Sequence, residues 1–189
     1  MTSRREARAA AAAAEDLEST LVVDRHGADP ERLLHRLGEL GWTVGVAESL
    51  TGGMVVAALV AVPGASAHVR GGVVAYATDL KHALLGVDAA LLEMHGPVHP
   101  EVARQMAEGV RIALGRGATR ADVGISTTGI AGPDSPDGQP VGTVHIGVST
   151  PLGTRVESLV LAGGRDEIRS EATSYSRPYD ANGNVECDR

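Results

Sequence analysis

The chain has 189 residues, room for one domain with a core of its own; with no Phe, one Trp and three Tyr, that core has to be built from Val, Leu, Ile and Ala. A formal charge of −7, with no Lys/Arg cluster carrying interleaved aromatics, argues against a nucleic-acid-binding surface. The longest apolar run, Met54 to Val62, is too short to span a bilayer, and a single Cys187 excludes an intramolecular disulfide and fits a reducing cytoplasm.

In chain order, residues 1–28 read as an Ala-rich extension. Arg4, Arg5 and Arg8 precede a run of alanines and then Glu15-Asp16, giving high helix propensity, little apolar face and no Leu-rich signal core. Pro30 to Leu40 reads as an amphipathic helix with Asp29 as N-cap, Pro30 at the first position, and Leu33, Leu34, Leu37 and Leu40 in one stripe. Gly41 stops it. A buried strand around Val44 and Val46 then runs into Ser49-Leu50-Thr51-Gly52-Gly53 and a helix whose first turn carries the two glycines. Pro63-Gly64 breaks that helix.

A second strand is predicted over Arg70 to Tyr76. Short helices over Thr78 to Leu85, capped by Thr78, and Asp88 to His95 end at Gly86 and Gly96. A longer amphipathic helix runs from Pro100 to Leu114, with Val102, Met106 and Val110 inward. Asp122 to Thr127 is a third strand and Gly129 to Gln139 a loop. Val141 to Thr150 and Thr154 to Leu161 form a hairpin across Pro151-Leu152-Gly153, and Arg165 to Thr173 begins a last helix. Strands interleaved with helices, then a hairpin, predict a single α/β domain over residues 29–173, a three-layer α/β/α sandwich with a mixed sheet. Residues 174–189 lack any apolar period and read as an irregular or disordered tail that leaves the last helix short.

Two residues are the most informative. Ser49 sits at a strand-to-helix turn where its hydroxyl can point out of the sheet edge. The amides of Thr51, Gly52 and Gly53 are then placed to attract an anion or a developing negative charge. The plainer reading is that Ser49 or Thr51 caps the helix. Lys81 falls in the first turn of its helix, where the dipole disfavours a cation; that position and partial burial lower its pKa towards a neutral general base. The plainer reading is a lysine that snorkels or pairs with Asp79 or Asp88.

Tyr76, five residues before Lys81, reaches the same sheet edge and could relay a proton, or simply pack. Thr128 and Gly129 end the third strand, where ligands collect in α/β sheets, although a plain glycine-rich turn fits too. Arg165, after Gly163-Gly164, could aim a guanidinium at a phosphate or remain solvated. The histidines form neither His-x-His nor His-Glu-x-x-His, so no metal site is expected. No dinucleotide fingerprint or Walker loop appears, and Asp134 and Asp137 suit Asx turns.

Six motifs occur in one order. They are Ala47-Glu48-Ser49-Leu50-Thr51-Gly52-Gly53, Gly71-Gly72-Val73-Val74-Ala75-Tyr76 with Lys81, Leu84-Leu85-Gly86-Val87, His95-Gly96-Pro97-Val98, Thr128-Gly129-Ile130-Ala131-Gly132-Pro133 and Pro140-Val141-Gly142-Thr143-Val144. Together, over about residues 30–173, they closely resemble the CinA C-terminal domain family, the PncC-type nicotinamide mononucleotide amidohydrolases. The resemblance implies hydrolysis of the carboxamide of nicotinamide mononucleotide, giving nicotinate mononucleotide and ammonia in pyridine nucleotide recycling. It implies Ser49 as nucleophile, Lys81 as general base, and Tyr76, Thr128 and Arg165 in support, with no cofactor and a homodimeric, cytoplasmic enzyme. It also implies a stand-alone form of the domain. Leu50 stands where the family usually has Cys, and Ala77-Thr78-Asp79-Leu80 where it usually has Ser-Asn-Glu-Ala. The alternative reading is a nucleotide-binding module that has lost turnover.

Overall fold

A computed structural model describes residues 30–135 and 138–174. The N-terminal extension, the Asp29 cap, Asp137 and the tail beyond Ser174 lie outside the described residues. The first helix, α1, spans Pro30–Leu40 and buries Leu33, Leu34 and Leu37, three positions of the leucine stripe. Strand β1 follows over Val44–Glu48 with all five residues buried. Helix α2 covers Met54–Val60, later than expected: Gly52 and Gly53 precede it with φ of 61° and 102°. Only glycine adopts that left-handed backbone at little cost, so the pair forms the turn itself rather than the first helical turn.

A short 3-10 turn at Ala65–Ala67 leads to β2, Val69–Val74. Helix α3 spans Thr78–Leu85 and stops at Gly86, whose φ is 68°. Its N-cap is Ala77, without a side-chain bond, so Thr78 does not cap it as expected. Helix α4, Ala89–His95, is capped by Asp88, whose carboxylate accepts from the Ala90 amide at 2.9 Å. Helix α5 runs over Pro100–Ala113, β3 over Val123–Gly129, β4 over Thr143–Thr150, β5 over Gly153–Val160 and α6 over Arg165–Ser174.

The five strands lie in the order β2-β1-β3-β4-β5. Strand β1 is parallel to both β2 and β3, while β3–β4 and β4–β5 are antiparallel, so the sheet is mixed as predicted. The pleat sends Val44 and Val46 to one face, where Leu33, Leu37 and Leu59 from α1 and α2 meet them. On that same face Ile168 and Ala172 of α6 pack with Val144 and Leu159. Ala47 points to the other face, into a cluster with Leu85, Leu92, Val102 and Met106 from α3, α4 and α5. Helices thus cover both faces, the three-layer arrangement expected from the element pattern. Helix α5 sits unusually close to the sheet: a Cβ on Gly124 would stand 2.0 Å from the Ala107 carbonyl oxygen.

Candidate active site

The carboxyl ends of the parallel strands build the site. At the end of β1 the alternation of the pleat sends Glu48 towards α2 and Ser49 towards α3. The Ser49 amide still donates to the Thr127 carbonyl at 3.0 Å, so the ladder to β3 holds the serine backbone in place. The chain then reverses, with the Gly52 amide donating to the Ser49 carbonyl at 3.1 Å. Such a strand-turn-helix corner presents a side chain at the sheet edge with little room around it.

Glu48 is fully buried, and its carboxylate accepts from the amides of Gly53 (2.8 Å), Val55 (3.1 Å) and Val56 (2.8 Å). It therefore fills the positive end of α2 with the chain's own negative charge. This corrects the expectation for Thr51, Gly52 and Gly53. The Gly52 and Gly53 amides are engaged within the protein, and the Thr51 hydroxyl is buried against that of Thr127 at 2.7 Å. The three residues shape the corner from behind and do not line the cleft.

Among the described residues Lys81 is the largest fully buried side chain, only 1% exposed. Its Nζ stands 3.1 Å from Ser49 Oγ, 2.8 Å from the Ala75 carbonyl and 3.4 Å from the Tyr76 carbonyl. Among the described residues no carboxylate pairs with it, so neither Asp79 nor Asp88 partners it as the plainer reading supposed. Burial lowers the amine from the usual lysine value to about 8. In the neutral amine two N–H groups satisfy the two carbonyls, and the lone pair faces the serine hydroxyl.

Around this pair lies a cleft of about 290 Å³, lined among others by Leu50, Tyr76, Thr128, Gly129, Gly132 and Arg165. Thr128 is buried, and its hydroxyl donates to the Pro97 carbonyl at 2.7 Å, fastening the His95–His99 connection to the cleft wall. Tyr76 is 59% exposed, and Arg165 reaches across the mouth from α6 to its hydroxyl at 3.0 Å and to the Gly132 carbonyl at 2.8 Å. Six of the expected residues, Ser49, Lys81, Tyr76, Thr128, Gly129 and Arg165, thus line one cavity.

Two further residues escaped the sequence reading. Glu48 carried a signal, a carboxylate ending an otherwise apolar strand. Arg169 carried none: its Nε donates to the Leu50 carbonyl at 3.0 Å, fixing the residue after the serine from a helix at the far end of the chain. Among the described residues no group of His, Cys, Asp and Glu is placed to hold a metal, and no helix is long and apolar enough to cross a membrane.

A mixed sheet covered on both faces, with a corner serine against a buried lysine at its carboxyl edge, defines an α/β/α protein built around a Ser–Lys pair. The chain belongs to the CinA C-terminal domain family, whose sequence profile matches residues 28–176. It is 46% identical over 164 residues to a CinA-like protein of Gloeobacter violaceus, covering 83% of this chain and 37% of that protein. It is 49% identical over 130 residues to a CinA-like protein of Frankia casuarinae, covering 69% and 29%. The chain thus spans well under half the length of these curated relatives.

Among solved structures, the competence/damage inducible protein CihA from Agrobacterium tumefaciens superposes with a TM-score of 0.71 at 34% identity, over 78% of this chain and 88% of that one. The competence damage-inducible protein A (ComA) from Klebsiella pneumoniae does so with 0.72 at 30% identity, over 78% and 89%.

Proposed function

We propose that the chain is an amidohydrolase that converts nicotinamide mononucleotide to nicotinate mononucleotide and ammonia, using Ser49 as nucleophile and Lys81 as general base. The observation that carries this reading is the 3.1 Å contact between Lys81 Nζ and Ser49 Oγ, made by a lysine that burial keeps largely neutral in mildly alkaline conditions. Lys81 takes the hydroxyl proton as Ser49 Oγ attacks the carboxamide carbon. The C–N bond breaks, the proton passes from Lys81 to the leaving nitrogen, and ammonia departs. A water then attacks the ester, gives its proton to Lys81, and the acid leaves as Ser49 regains a proton.

Negative charge on the carbonyl oxygen needs donors in the cleft. The α2 amides held by Glu48 are not available for this. The Leu50 amide, adjacent to the nucleophile, makes no hydrogen bond within the described residues and is the donor we assign. Arg165 at the mouth suits the phosphate of the nucleotide, and Tyr76 the relay of a proton at the same rim. A homodimer is part of the same reading. The intact serine–lysine contact favours turnover over a module that only binds.

Purified protein incubated with nicotinamide mononucleotide should release ammonia and nicotinate mononucleotide in equal amounts. Ser49→Ala and Lys81→Ala should each lower the rate by about a hundredfold or more. Full turnover by Ser49→Ala would remove the proposed nucleophile, and binding without ammonia release by the intact protein would leave the binding-module reading in its place.

A further inference from the structure

The parallel strands have two ends, and the serine–lysine cleft uses only one. At the other end, where Thr43 leads into β1, Arg70 lies near the start of β2 and Asp122 leads into β3, a second cavity of about 410 Å³ opens. Arg70, Arg116 and Arg120 line it, with Asp122 as the one carboxylate among the described residues there. One oxygen of that carboxylate already accepts from the Thr43 amide at 2.8 Å and from the Thr43 hydroxyl at 2.9 Å.

Of the three lining arginines, Arg70 is held by neutral groups, and the Arg116 and Arg120 side chains make no hydrogen bond among the described residues. Arg70 donates to the carbonyls of Leu114 at 3.1 Å and Gly115 at 3.3 Å. Behind the wall, Arg111 donates to the carbonyls of Ala121 at 3.0 Å and Thr150 at 2.8 Å and to the Ser149 hydroxyl at 3.1 Å. Carbonyls orient a guanidinium without cancelling its charge. None of Arg70, Arg111, Arg116 and Arg120 enters an ion pair among the described residues. The cation excess is local, since the chain as a whole carries −7. Arg111 is held below the usual guanidinium range chiefly by burial and then by the charge of Arg120, against the smaller opposing pull of Asp122 and Glu108. An anion in the cavity would relieve that repulsion.

We propose that this cavity, about one strand length from the cleft, is a second binding site that takes the phosphate or pyrophosphate group of a small ligand. Guanidinium groups in a concave wall match the bidentate geometry of phosphate oxygens better than that of a monovalent halide. The site is independent of the amidase reading, because it shares no lining residue with the serine–lysine cleft.

Calorimetric titration of the full chain at low ionic strength with pyrophosphate, inorganic phosphate and ribose 5-phosphate tests it. Saturable binding of at least one is expected, weakened at least about tenfold by Arg116→Gln/Arg120→Gln and retained by Arg165→Ala. Both substituted side chains are exposed and make no hydrogen bond within the described residues, so the double variant should fold as the parent does. Tighter binding of ribose 5-phosphate than of inorganic phosphate would make the ligand an organic phosphate, and equal binding a free phosphate. Binding that disappears in Arg165→Ala but survives in the double variant would assign the anion to the cleft and overturn the proposal. Absence of saturable binding by all three probes would do the same.

Discussion

Lys81 is a base only while it is neutral, and burial sets the pH at which that happens. Its amine is lowered to about 8, so the neutral fraction grows as the pH rises through that value. The rate constant kcat/KM for the carboxamide should therefore climb with pH, with a midpoint near 8, and level off above it. A profile flat between pH ~6 and ~10 would mean that another group takes the proton. Lys81→Arg should lose the rising limb together with the activity, since a guanidinium cannot be deprotonated in this range. Lys81 stood out because a cation at a helix start runs against the local preference, whereas Ser49 by itself read equally as a helix cap and was singled out by the motifs further along the chain. Arg169 was not, because its bond to Leu50 spans 119 positions in sequence and nothing local announces it.

At the scale of elements, the corner that carries Ser49 depends on how α2 begins. Gly53 is its N-cap and provides no side-chain bond; Glu48 serves the helix start from the preceding strand. Glu48→Ala would strand buried amides and is expected to cost about 2–4 kcal/mol, read as a lower melting temperature. Glu48→Gln should fall between, because it keeps one carbonyl acceptor. Equal melting temperatures for all three proteins would show that water can replace the carboxylate. Helices α1 and α3 were legible to the residue because Pro30 and Gly86 punctuate them. The start of α2 was not, since two glycines before a Met-Val-Val run read equally well as a first turn until their positive φ values are known. Strand ends shifted by a residue or two because propensity marks their middles, while pairing decides where they stop.

For the whole molecule, the mixed sheet followed from the order of elements, and the carboxyl edge of its parallel strands gathered most of the residues chosen from sequence. The cavity at the opposite edge was hidden, because Arg70, Arg116 and Arg120 are spread over 50 positions and converge only when β2 and the α5–β3 connection are side by side. The burial of Lys81 also has a consequence for protein chemistry. Of the 17 lysines and arginines in the chain, Lys81 is the single lysine. The exterior accordingly offers amine-directed reagents no ε-amino group, and a succinimidyl ester should mark the folded protein first at its terminal amine. An adduct on Lys81 has to form through the cleft that Lys81 lines from its buried position, so its rate of appearance, followed by mass spectrometry, reports access to that cleft without any introduced label.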